Sequence, residues 1–161
     1  MSCHVSVVPN HQTHRVTPMA TRADIAHLGA TGYELDTSHF SDEDRAVVSK
    51  QVEEYHEIED LILNGDLYRT ENPMESNYFG FMIVSKDKKE AVLTAYRRMG
   101  SVNNEMKLLK VAGLDAEKVY HVSGLDMTLK GSTLMNVGVA PMFAGGDFMT
   151  VKYWFKEVCA R

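Results

Sequence analysis

HVSVVPNHQTHRVTPMATRADIAHLGATGYELD, residues 4–36, reads as strand, loop, helix and strand in that order. His4-Val5-Ser6-Val7-Val8 alternates as a half-buried strand does, and Pro9, which has no amide proton to give, ends its ladder. A polar loop follows. Thr17 is placed to cap the next helix, Pro18 suits its first position and Gly29 its stop, so Met19, Ala23, Ile25, Ala26 and Leu28 are expected to pack inward. Gly32-Tyr33-Glu34-Leu35-Asp36 is short and extended, and is assigned as a strand. A strand, a helix and a strand at this spacing form the unit from which parallel α/β sheets and barrels are built.

Working toward the amino end, the first strand opens only three residues after Met1, without lead-in or cap, and the chain is expected to be the tail of a longer polypeptide. Toward the carboxyl end a long helix comes next. Ser41 with Asp44 three residues on is a capping box, and Val48, Val52, Tyr55, Ile58 and Ile62 recur at helical spacing up to Asn64-Gly65.

After Gly65 the grammar changes. Tyr78 to Val84, Glu90 to Tyr96, Met106 to Val111, Lys118 to Val122 and Phe148 to Phe155 are short runs. Turn clusters at Ser85-Lys86-Asp87-Lys88, Val102-Asn103-Asn104 and Ala144-Gly145-Gly146-Asp147 separate them, with one helical turn predicted at Ser132-Thr133-Leu134-Met135. This spacing predicts an antiparallel β-domain, and the domain cut falls at 1–65 and 66–161.

Composition narrows the partners. A net charge of -5, with 17 basic and 22 acidic residues intermixed, leaves no polybasic face for nucleic acid or an anionic membrane. No stretch reaches the ~20 apolar residues of a membrane helix. Cys3 and Cys159 stand far apart with no zinc spacing, so free thiols and a cytoplasmic setting are expected.

The blocks Met1-Ser2-Cys3-His4-Val5-Ser6, Pro9-Asn10-His11-Gln12, Arg15-Val16-Thr17-Pro18 and Gly32-Tyr33-Glu34-Leu35-Asp36 resemble successive blocks of the family 36 glycoside hydrolases, the microbial α-galactosidases. Tyr55, Asn64-Gly65-Asp66-Leu67-Tyr68-Arg69, Lys86 to Val92, Gly113-Leu114-Asp115 and Leu134 to Gly138 continue it in the family's order. The resemblance implies an α+β fragment: the last βα elements of a (β/α)8 glycosidase barrel in 1–65, then an antiparallel β-sandwich in 66–161. Met1 would match an internal methionine.

By resemblance the longer enzyme hydrolyses terminal α-galactosides of oligosaccharides such as melibiose and raffinose with retention, through a covalent glycosyl-enzyme, with no cofactor and no metal. The implied partners are the remainder of the barrel and further copies in a homo-oligomer. The family's nucleophile lies in a Trp-Asp-x-Asn type motif and its acid/base aspartate on a later barrel strand; both precede the block that matches Met1. Trp154, the only tryptophan, sits in Tyr153-Trp154-Phe155-Lys156 and does not match. No catalytic residue is carried over, and this chain alone is predicted inactive. The alternative is a non-catalytic carbohydrate-binding or structural β-sandwich module.

Glu34 and Asp36 form the pair that most invites a glycosidase role, since residues two apart on a strand share a face at roughly 7 Å. A glycosidase dyad must flank the sugar from opposite sides, so the favoured reading has Glu34 facing the barrel interior beside Arg15 or Arg22, and Asp36 anchoring the next loop. His4, His11 and His14 lack the further ligands a metal motif needs. His4, Asn10, His11, Arg15, Glu34 and Asp36 remain as residues that back the substrate pocket without touching the reaction, because βα loops form such pockets. Lys130-Gly131-Ser132-Thr133 lacks the glycine and order of a phosphate loop. Tyr78, Phe79, Phe81, Tyr96, Tyr120, Tyr153, Trp154 and Phe155 read chiefly as core.

Overall fold

The computed structural model describes residues 1–102 and 107–158. Asn103 and Asn104 of the expected turn, Met106 at the head of one expected strand, and Cys159 lie outside them. The chain divides into two compact units, Met1–Leu63 and Asn64–Arg161.

In the first unit β1 (Ser2–Ser6) and β2 (Ala30–Glu34) pair in parallel, Ser2 opposite Ala30 and Ser6 opposite Glu34, with α1 (Met19–Ala26) between them in the chain. Both strands start two residues earlier than the sequence pattern predicts. Cys3, Val5, Tyr33 and Leu35 turn to the helix side and pack with Met19, Ala23 and Ala26. Pro18 occupies the N-cap of α1 itself, with no side-chain cap, so Thr17 does not play the capping role. A 3₁₀ turn at Thr37–His39 leads into α2 (Asp42–Asn64).

The capping box of α2 forms as expected. Ser41 Oγ accepts from the Asp44 amide at 3.1 Å, and Asp44 Oδ2 accepts from the Ser41 amide at 3.1 Å. The buried stripe of α2 is Gln51, Tyr55, Ile58 and Leu61, so it is rotated from the predicted one and Val52 is exposed. A glutamine tolerates that burial because the Tyr33 hydroxyl donates to Gln51 Oε1 at 2.8 Å. The Tyr55 hydroxyl donates to Gly29 O at 3.1 Å, fastening α2 to the start of β2.

Among the described residues the second unit holds an antiparallel sheet of six strands. They are β3 (Asp66–Arg69), β4 (Tyr78–Val84), β5 (Glu90–Arg97), β6 (Val119–Ser123), β7 (Met127–Lys130) and β8 (Met149–Glu157), in the order β3-β4-β5-β8-β6-β7, with α3 (Gly131–Asn136) between β7 and β8 in the chain. Sequence reading missed β3 and β7, both edge strands of four residues, too short for an alternating pattern to stand out. Within the predicted Met106–Val111 strand, the described residues form only a bridge, Leu109 with Val139.

Alternation sorts the side chains. Met82, Val84, Ala91, Leu93, Ala95, Tyr120, Val122, Tyr153 and Phe155 share one face and form the core with Leu109, Val111, Leu114, Leu134 and Val139. Phe79, Phe81, Tyr96 and Trp154 lie on the other face, half-buried, with Phe79 4.8 Å from Tyr96 and edge-on to Phe81 at 6.0 Å. Gly113 adopts a φ of +86°, and a Cβ there would lie 2.3 Å from the Tyr68 ring, so no other residue fits that turn.

Candidate functional site

The first unit brings most of the candidate residues to one end. Parallel strands deliver their chemistry beyond their carboxyl ends, and β1 and β2 end side by side at Ser6 and Glu34. Because β1 and β2 turn Cys3, Val5, Tyr33 and Leu35 toward α1, alternation puts Ser2, His4, Ser6, Gly32 and Glu34 on the opposite face.

On that face His4 Nε2 lies 3.2 Å from Glu34 Oε2, both side chains being more than half exposed. Glu34 is therefore partnered by His4. Arg22 belongs to the other side: its Nε donates to Thr17 O at 3.1 Å and its Nη1 to Ser6 O, tying the end of β1 and the following loop to α1. Burial pulls the Arg22 guanidinium below its ordinary value, against the opposing influence of Asp44 and Tyr33.

Asp36 does not share a strand face with Glu34, because β2 ends at Glu34. Its Oδ1 accepts from the Ser38 amide at 2.9 Å to cap the 3₁₀ turn, and its Oδ2 lies 3.4 Å from His39 Nε2. Hydrogen bonding from Ser38 holds the Asp36 carboxyl below its usual value. Asn10 organises the β1–α1 loop, its Oδ1 accepting from the amides of Gln12 at 3.1 Å and Thr13 at 2.9 Å, while the Asn10 amide donates to Arg15 O at 2.9 Å. His11 and His14 are exposed on this loop, and His14 takes a left-handed φ of 55°. Among the described residues no group of three or more His, Cys, Asp or Glu side chains converges as a metal site.

A cavity of about 240 Å³ lies beyond the strand ends on the α1 side, walled by Val7, Val8, Met19, Leu35 and Phe40 and edged by Arg22, Asp36, His39 and Asp44. Its polar groups already have partners: Arg22 on two carbonyls, Asp36 on Ser38, and Asp44 on Ser41. Sequence reading missed Arg22 as a staple and His39 as a partner of Asp36. The i, i+3 spacing of Asp36 and His39 was the available signal.

Comparison with known proteins matches this arrangement to one family. Residues 1–65 match the Melibiase model, and residues 79–155 match the model of the glycosyl hydrolase family 36 C-terminal domain. The α-galactosidase AgaA of Geobacillus stearothermophilus is 35% identical over 98% of this chain and 22% of its own length, and Mel36A of Lactobacillus acidophilus is 39% identical over 98% and 21%. A crystal structure of an AgaA variant in complex with raffinose superposes with a TM-score of 0.94 at 34% identity, covering 98% of this chain and 22% of that one. The α-galactosidase structure from Lactobacillus brevis gives 0.91 at 31% identity, covering 98% and 22%.

The chain belongs to glycoside hydrolase family 36. It spans about a fifth of the length of the α-galactosidases it matches.

Proposed function

We propose that this chain is the carboxyl-terminal part of an α-galactosidase that removes terminal α-galactose from oligosaccharides with retention, and that the reacting carboxylates stand on polypeptide preceding Met1. The match at 35% identity over 98% of the chain and at a TM-score of 0.94 to an α-galactosidase carries this reading. The arrangement of Glu34 and Asp36 supports its second half. Glu34 pairs with His4 and Asp36 caps a turn, so the two do not oppose each other across a space for a sugar.

In this reading residues 1–65 are the last βα elements of a (β/α)8 barrel and residues 66–161 an antiparallel β-sandwich domain. The parallel β1–β2 pair with α1 on one face supports the first part. The second is supported by a sheet face covered by the Leu109–Val139 bridge, Leu114 and Leu134 of α3. His4, Asn10, His11, Arg15, Glu34 and Asp36 back the substrate pocket. Relatives solved with raffinose and stachyose support an oligosaccharide substrate. A cytoplasmic setting, assembly into homo-oligomers and chemistry without metal or cofactor complete the proposal.

The test is hydrolysis of p-nitrophenyl α-galactoside, melibiose and raffinose by the full-length polypeptide read from the coding sequence upstream of Met1. Turnover with an in-frame Trp-Asp-x-Asn motif and a second upstream aspartate is expected. An upstream sequence without them, or a full-length protein that leaves α-galactosides intact, would reject the reading.

A further inference from the structure

We draw no further inference here: the strongest candidate, the half-buried aromatic patch of Phe79, Phe81, Tyr96 and Trp154 on the face of the six-stranded sheet turned away from its core, carries nothing because nothing in the structure shows what covers it.

Discussion

His4 and Glu34 join β1 to β2 by side chains as well as by backbone, Nε2 to Oε2 at 3.2 Å across a parallel pair. Both side chains are more than half exposed, so water screens the pair. Glu34→Gln in the 161-residue chain is expected to change unfolding free energy by less than ~1 kcal/mol. Urea titration followed by circular dichroism measures this, and a larger loss would mean that the pair is a fold determinant.

The α2 capping box contributes more than that pair. Ser41→Ala removes the acceptor of the Asp44 amide and is expected to cost about 1 kcal/mol. Ser41→Asn or Ser41→Asp should restore most of it. Loss without such recovery would assign the effect to something other than capping.

Arg97 secures the loop before β8. Its Nη2 donates to Ala144 O at 2.6 Å and Gly146 O at 2.7 Å, its guanidinium lies 5.2 Å from the centre of the Phe143 ring, and the residue is 3% exposed. Arg97→Lys cannot reproduce that planar fork, and a loss of about 2 kcal/mol is expected. Amide exchange should accelerate at Gly145 to Asp147 first. Wild-type exchange there would contradict the latch.

The titration of buried phenols sets an alkaline limit. Burial pushes Tyr33, Tyr55, Tyr120 and Tyr153 above the ordinary value of 10.0, because it penalises the phenolate. Above pH 10 the unfolded chain therefore releases protons that the folded chain retains. Stability is fully present below that pH and falls as pH rises through the folded values. Melting temperature against pH, with phenolate absorbance in parallel, checks the sign; a melting temperature that rises beyond pH 10 would contradict it.

The two units differ in what holds them. Val5, Ala23 and Ala26 are the buried residues of the cluster beneath β1 and β2, whereas among the described residues the core cluster of the second unit holds fourteen, including Tyr120, Tyr153 and Phe155 at 1% exposure or less. Open strand edges and small cores protect amides poorly. In the isolated 161-residue chain, hydrogen exchange at β1 and β2 is expected to be much faster than at β5 and β8, with residues 1–65 loosely held and the chain prone to associate. Equal protection in a monodisperse monomer would contradict this.

How much of this was legible follows from where each signal resides. The strand-helix-strand order of residues 2–34 and the Ser41–Asp44 cap are local patterns, and the sequence displays them directly. The strands Tyr78–Val84 and Glu90–Arg97 were readable because both are long and apolar. The rotated face of α2 was not, since burying Gln51 depends on a tyrosine eighteen residues earlier. The edge strands Asp66–Arg69 and Met127–Lys130 were hidden for a similar reason: only their neighbours make them strands.

At the candidate site, the sequence displayed a carboxylate at Glu34 on the second strand and a loop role for Asp36. It did not display the partner. His4 lies thirty residues from Glu34, and only the parallel register brings the two together.

Hydrolysis of p-nitrophenyl α-galactoside by the purified 161-residue chain most directly tests whether its chemistry depends on carboxylates outside these residues. No turnover above buffer is expected at any enzyme concentration. Saturable hydrolysis that disappears in Glu34→Gln or Asp36→Asn would contradict the account and return the catalytic role to these two side chains.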